Sequence, residues 1–327
     1  MSDQPLTERR PVNGAHLDDL DMDLVRRHIR TAVERRGYEG TAEPIEYLLR
    51  YHCLTPEDDT LRPTIVGLLI FAAEPDRWLD TAGVDIAQFS GPQAHSTDMI
   101  FSRQIRGPII DVITRTVDLL WARSEHRYRL EGTERIEEHA YNMTVLRELT
   151  VNTLCHRDWG LAGSIARIEM HPTFTRWVTP GGLPPGVTVE NIRVAQVSRN
   201  PALAQMLYHG GLVEKFGMGI DTVLDILASW GCDPPIYHDD QHFFTFQVAG
   251  RPMSTAEAEE PLLDLTPRQA RILAEIAGRR SATSAEIADA IGEARRNVQR
   301  DLQALLKHGL VQMDGLTSRA RYRIVRK

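Results

Sequence analysis

The chain has 327 residues, is 42% apolar and 25% charged, and carries a formal net charge of −7. This composition excludes general disorder and allows two or three domains at roughly 100–200 residues each. The longest apolar run, Ile65 to Ala73, is too short for a membrane span, the N-terminus lacks an apolar signal region, and three scattered cysteines form neither a metal-ligand pattern nor a disulfide framework.

Taken in chain order, residues 1–15 read as a loose arm. Asp21 to Arg36 predicts a helix with Leu24, Ile29 and Val33 inward and Gly37 at its end. Ile45 to Tyr51 predicts a second, short helix. The run from Arg62 to Phe71 fits a buried helix opened by Pro63, with a strand as the alternative. Val84 to Phe89 is a strand closed by Ser90-Gly91-Pro92, and Gln93 to Arg103 reads as a loop. Pro108 to Arg123 is again helical. A short extended piece near Tyr128 to Glu131 precedes a helix near Met143 to His156. Ser164 to Met170 and Thr175 to Val178 are strands around a turn. Thr179 to Gly186 is a Gly/Pro loop, and Arg199-Asn200-Pro201 starts a helix ending at Gly210-Gly211. A second glycine loop, Glu214 to Gly219, opens directly into another helix, and Phe243 to Val248 is a last strand. Residues 249–264 are acidic and aperiodic and read as a linker.

The C-terminal stretch has the sharpest local signals. Thr266 with Gln269 and Thr283 with Glu286 fit capping boxes, Gly292 makes a turn, and Asp314-Gly315 signals a hairpin. Three helices and a β-wing over 265–327 give a winged helix-turn-helix. These residues hold 13 basic and 6 acidic side chains, against 25 and 39 in the remainder. A basic segment on an acidic body suggests a localised nucleic-acid contact, with a solvated basic surface as the alternative on charge alone, and the winged helix-turn-helix makes double-stranded DNA the expected partner. Arg295, Arg296, Asn297, Gln299, Arg300 and Gln303 are the candidates for base and phosphate contact, with Arg319, Arg321 and Arg323 on the wing. The alternative is a protein–protein module with a solvated basic face.

In the centre, Glu148 and Asn152 lie four apart and share one helix face among apolar neighbours. A carboxylate there can polarise a water, an amide oxygen can ligate Mg²⁺, and glycine loops can bring backbone N–H groups to phosphates. Each part alone has a structural alternative: a surface pair, or an ordinary turn. His156 and Arg157 suit phosphate contact or helix-end capping equally well. Lys215 precedes the glycines of the second loop and suits a phosphate partner. Cys155 reads as a small core residue.

Four strings occur in order: Leu146-Arg147-Glu148…Asn152…His156-Arg157-Asp158, then Pro180-Gly181-Gly182-Leu183-Pro184, then Arg199-Asn200-Pro201, then Gly211 through Gly217-Met218-Gly219-Ile220. This order resembles the GHKL (Bergerat) ATPase fold of gyrase and the histidine kinases. More closely, residues from about 45 to 248 resemble the RecG-like proteins, in which a GHKL-like domain follows a Schlafen/AlbA-type domain and a winged helix often ends the chain. The resemblance implies that Glu148 is the water-activating base and Asn152 the Mg²⁺ ligand. It also implies that Gly181, Gly182, Gly217 and Gly219 line ATP, with 183–216 as a lid. Thr179-Pro180 stands where such ATPases carry an Asp for adenine. Only the trailing part of the Schlafen/AlbA core, about 20–105, is recognisable. No G-x-x-x-x-G-K-[ST] loop occurs, so no P-loop helicase motor is expected.

The expected fold class is α/β (α+β): a flexible arm (1–15), a small α+β domain (16–105), a GHKL-like α/β sandwich (106–248), a linker (249–264) and a winged helix-turn-helix (265–327). The expected function is a cytoplasmic, homodimeric transcriptional regulator. Its nucleotide-binding domain, taking ATP or another small effector, would govern the DNA-binding end, without membrane association. The alternatives are an Mg-dependent ATPase acting on DNA or in defence, and a degenerate GHKL scaffold used only for dimerisation.

Overall fold

One parallel strand pair in an otherwise antiparallel sheet sets the architecture. In a computed structural model of the protein, residues 6–131, 134–195, 197–213, 219–251, 266–279, 281–307, 310–315 and 320–324 are described. The chain forms two units, Met1–Met253 and Ser254–Lys327. Helices and a mixed sheet make the fold α+β.

The first unit opens with α1 (Met22–Arg36) and α2 (Pro44–Arg50), a hairpin of β1 (Leu54–Glu57) and β2 (Thr60–Pro63), and α3 (Ile65–Phe71). Then come β3 (Val84–Phe89), β4 (Met99–Ile105), α4 (Ile109–Arg123) and a second hairpin of β5 (His126–Glu131) and β6 (Glu134–His139). The unit continues through α5 (Met143–Cys155), β7 (Ala166–Met170), β8 (Phe174–Pro180), α6 (Pro201–His209), α7 (Gly219–Ser229), β9 (Ile236–Asp239) and β10 (Phe243–Ala249). Its sheet runs β4-β3-β7-β8-β10-β9. Only β3 with β7 is parallel, with Val84 opposite Ala166 and Gln88 opposite Met170. A parallel pair needs a crossover, which α4, the hairpin and α5 supply. The strands of 84–105 and of 166–249 therefore share one sheet, and the two segments expected as separate domains are continuous.

Strand alternation separates the two sheet faces. Ile86, Ile168, Trp177 and Phe246 are buried in the core with the helices. The other face is polar: Arg176 pairs with Glu169 at 3.3 Å and donates to Gln247. Helix α5 is buried nearly all round, with Val145, Leu146, Leu149, Val151 and Leu154 packed. Thr150 on this helix accepts a hydrogen bond from the buried Trp177 indole at 3.2 Å.

Several elements differ from the sequence expectation. Residues 6–15 are not a loose arm. A 3-10 turn at Thr7–Arg9 buries Glu8 completely, and Pro11 bridges to Thr64. The Glu8 carboxylate accepts hydrogen bonds from the Ala202 and Leu203 N–H groups, both at 2.8 Å, at the start of α6. Burial pushes its pKa up, although those two bonds and Arg9 oppose the rise. Pro63 closes a strand rather than opening a helix, and Thr64 caps α3 by accepting from the Gly67 N–H. Gln93 to Arg103 is not all loop, because β4 begins at Met99. Its side chains are mostly exposed on an edge strand, so no apolar alternation marks it. The face of α1 is also rotated: Val25, His28, Ile29 and Ala32 are buried and Val33 is 48% exposed.

The second unit holds α8 (Pro267–Arg279), β11 (Ala282–Thr283), α9 (Ser284–Ile291), α10 (Arg295–Lys307), β12 (Val311–Asp314) and β13 (Arg321–Ile324). The strands form an antiparallel sheet in the order β11-β13-β12. Both expected capping boxes form. Thr266 and Gln269 exchange hydrogen bonds at the start of α8, as do Thr283 and Glu286 at the start of α9. Ile272, Ile276, Ile287, Val298, Leu302 and Leu305 make its core. Most of 249–264, expected as the linker, lies outside the described residues, although Ala249 still belongs to β10.

His28 gives a direct pH test of the first core. It lies among Tyr47, Phe71 and His209, and burial lowers its pKa from 6.5 to about 4, with His209 adding to the effect. A depressed histidine pKa stabilises the fold above the unfolded value of 6.5, and this contribution is lost as pH falls towards 4. Denaturant unfolding at pH 7 and pH 5 is expected to show a loss of about 2 kcal/mol from this residue. His28→Phe should flatten that part of the pH dependence, and an unchanged slope in the variant would assign it elsewhere.

Candidate functional site

Helix α5 positions the expected site. Its N-terminus is capped by Asn142, whose side chain accepts from the Thr144 N–H at 2.8 Å. Glu148 and Asn152 then project from one face, towards the first residue of α7. A Cβ on Gly219 would lie 2.7 Å from Glu148 Oε2 and 3.9 Å from Asn152 Nδ2. Only glycine lets the start of α7 approach this pair so closely. Glu148 is 7% exposed, and Arg147 donates to its Oε1 at 3.1 Å. The Asn152 amide nitrogen is buried without a hydrogen-bond partner among the described residues. A buried donor left in that state is costly unless something is bound there.

The residues fit a polar ligand at this point better than they fit apolar packing. An Asn side chain offers one oxygen and one NH₂, so its oxygen can meet a cation while its nitrogen meets an acceptor. Asn152, Glu148 and the N-terminus of α7 could therefore hold a polar ligand or a cation. Lys215 and Gly217, also expected at the nucleotide, lie outside the described residues.

The first glycine string lies elsewhere in the hydrogen-bond network. Gly181 N–H donates to the His242 carbonyl at 2.7 Å, and Gly182 N–H to the Gln241 carbonyl at 3.0 Å. Both amides are therefore occupied by the β9–β10 turn. A Cβ on Gly181 would meet the Asp158 Cβ at 2.7 Å, and one on Gly182 would meet Asp239 Oδ1 at 2.6 Å. These glycines let a strand end pass between two neighbours. Thr179 is buried and paired with Phe244 within the sheet.

Arg157 is fully buried, and its guanidinium donates to the Thr81 carbonyl at 2.7 Å, the Thr81 hydroxyl at 3.0 Å and the Ser164 carbonyl at 2.8 Å. It also lies over the Trp159 ring at 4.2 Å. Burial lowers its pKa to about 10, so it stays a cation at neutral pH. His156 is held neutral: burial, with the nearby Arg199 charge, lowers its pKa to about 4. A neutral imidazole lacks the positive charge that favours phosphate.

Arg199-Asn200-Pro201 is expected as a helix start and as one of the four ordered strings, and the structure gives each residue a separate contact. Asn200 is buried and donates from Nδ2 to the carbonyls of Cys155 and Arg157, both at 2.8 Å, closing the C-terminal end of α5. Arg199 donates to the Gly182 carbonyl and pairs with Asp158 at 3.5 Å. Pro201 is the first residue of α6. No local signal marks these contacts, because the partners are 17 to 45 residues apart. Of the expected lid, residues 201–209 are a core helix with Ala202, Leu203, Met206 and Leu207 buried. Its apolar face and the Glu8 cap tie it to the core in this structure.

In the second unit, Arg295, Arg296, Gln299, Arg300 and Gln303 are exposed along α10, with Asn297 half-buried. Arg295 also donates to the Ser284 hydroxyl at 3.3 Å. Arg321 is tied to the cap of α9 through Ser281 and through Glu286 at 3.3 Å. Arg323 pairs with Asp314 at 3.0 Å. Arg319 lies outside the described residues.

Comparison with known proteins adds two family matches. Residues 167–248 match the family described as "Putative ATP-dependent DNA helicase recG C-terminal". Residues 264–326 match the family described as HVO_A0114. No curated protein matches the chain. Among solved structures, the DIP2311 protein from Corynebacterium diphtheriae is similar with a TM-score of 0.60 and 19% identity. That match covers 99% of this chain and 65% of the other, so this chain spans less than two thirds of its relative. The similarity is one of fold.

The Asn200 contact can be tested directly. Asn200→Asp replaces the donor to two carbonyls with a carboxylate facing them. The expected cost is about 3 kcal/mol in denaturant unfolding, since a buried acceptor would face acceptors. A variant as stable as the parent would remove Asn200 from the closure of α5.

Proposed function

We propose that the protein is a DNA-binding regulator in which a GHKL-like nucleotide-binding domain governs a winged helix-turn-helix. The observation that carries the nucleotide reading is the approach of Gly219 to Glu148 and Asn152, with the Asn152 amide left unpaired in the interior. The family match over residues 167–248 supports it. In this reading Asn152 holds the ligand, by its oxygen on Mg²⁺ or its nitrogen on phosphate, and the N-terminus of α7 faces the negative charge. Bound Mg²⁺ would neutralise phosphate charge.

Binding without turnover is favoured over catalysis. The Arg147 guanidinium already engages the Glu148 carboxylate, and the Gly181 and Gly182 amides are consumed by the neighbouring turn. An ATPase needs a free base and a complete set of phosphate donors. Mg-ATP at about 100 times its dissociation constant should add about 2.7 kcal/mol, raising the melting temperature by about 5 °C. Asn152→Ala should abolish that rise, and phosphate release should stay at background. Release that disappears in Glu148→Ala would instead make the protein an ATPase. No shift with any nucleotide would leave the domain as a scaffold.

For the DNA-binding end, the supporting observation is the exposed polar face of α10 opposite its core face of Val298, Leu302 and Leu305. Arg296 and Arg300 are four apart on that face and suit two phosphates or one base edge and one phosphate. The Arg296→Ala/Arg300→Ala double variant should bind a random duplex at least tenfold more weakly at low salt. Its salt dependence should also be shallower by about two ion equivalents. Unchanged affinity and slope would turn the module into a protein-binding one.

A further inference from the structure

The base of the β5–β6 hairpin gathers three side chains that the nucleotide and DNA readings leave unused. His126 and His139 are direct cross-strand partners. Glu137 is two residues before His139, so strand alternation puts it on the same face. The two Nδ1 atoms lie 2.8 Å apart. Glu137 Oε1 is 3.6 Å from His126 Nδ1 and 3.9 Å from His139 Nδ1. All three ligand atoms converge within 4.8 Å of one another.

The surroundings orient the rings for this convergence. His126 Nε2 lies 2.7 Å from the Trp121 carbonyl, an acceptor only, so Nε2 carries the proton and Nδ1 presents its lone pair inward. A backbone carbonyl that fixes one ring nitrogen while the other is free is the usual support behind a metal-bound histidine. The Trp121 ring packs edge-on against His126 at 5.0 Å and tilted against His139 at 4.4 Å, restricting both. Below them, the Ala140 N–H donates to the Glu125 carbonyl at 3.0 Å and closes the hairpin base.

We propose that His126, Glu137 and His139 form a binding site for a borderline divalent transition metal of the Zn²⁺ class. Two imidazoles and one carboxylate are nitrogen and oxygen donors suited to Zn²⁺, and three protein ligands leave a fourth position open. A tetrahedral Zn²⁺ with Zn–N bonds of about 2.05 Å sets its donor atoms about 3.3 Å apart. The observed separations, 2.8, 3.6 and 3.9 Å, bracket that value, so small side-chain rotations complete the site. Metal binding there clips β5 to β6 between α4 and α5. Without metal, the same geometry is a His139-to-His126 hydrogen bond, which is the competing outcome.

The test uses the full chain, stripped with a chelator and titrated with Co²⁺ and then Zn²⁺. One Co²⁺ per chain should bind with visible d–d absorption and no thiolate charge-transfer band, and Zn²⁺ should displace it. His126→Asn and His139→Gln should each weaken Zn²⁺ by roughly 100-fold, and Glu137→Gln by about tenfold. The histidine side chains are only 23% and 24% exposed and pack on Trp121, so metal affinity is read on variants whose metal-free circular dichroism matches that of the metal-free parent. Nitrogen-15 NMR of the parent should show Zn²⁺ shifting Nδ1, a readout that needs no variant. The proposal is overturned by stoichiometric binding that survives in the His126→Asn/His139→Gln double variant, by a thiolate band, or by no binding at micromolar Zn²⁺.

Discussion

A helix that ends in the interior must find donors for its last carbonyls, and α5 meets this constraint with a residue far along the chain. The Asn200 amide reaches the Cys155 and Arg157 carbonyls, and Arg199 beside it holds Asp158 and the Gly182 carbonyl. One dipeptide therefore fixes the end of α5, the turn after it and the exit of β8. Glu148 and Asn152 are on the same helix, about two turns and one turn before that end. Their position relative to the start of α7 depends on a closure that neither of them makes. Unsatisfied carbonyls there would cost as much as a poor core contact.

The cations of the chain are used in two ways. Arg157 is spent inward, on two carbonyls and a hydroxyl, and His156 is kept neutral by burial beside Arg199. Around α5, positive charge builds the frame. On α10, by contrast, Arg296 and Arg300 are exposed above an apolar core face. Exposed arginine keeps its charge available to a polyanion, whereas buried arginine has already exchanged water for protein acceptors. The same residue type thus reads differently according to what satisfies its donors.

Local signals were legible where the physics is local. Caps at Thr266 and Thr283, the turn at Gly292 and the buried helix from Met143 follow from side chains within a few residues of their partners. The Glu148–Asn152 pair was visible from spacing alone. What spacing could not show was long-range pairing. Gly181 and Gly182 look like phosphate loops but serve a strand crossing, because their partners are about 60 residues away in the β9–β10 turn. The polar edge strand β4 lacks the alternation that exposes a strand to inspection. His126 and His139 become neighbours only once the hairpin register is known.

The cap that Glu8 places on α6 has a consequence for biosynthesis. Its acceptors and donors are 194 and 195 residues apart in sequence. The first turn of the chain cannot reach its resting place until most of the unit has left the ribosome. Until then Glu8 stays hydrated, and the surface that later covers it remains open. Folding of this unit is therefore not a simple progression from the N-terminus. A contact of this sequence separation raises the contact order of the unit, which slows folding.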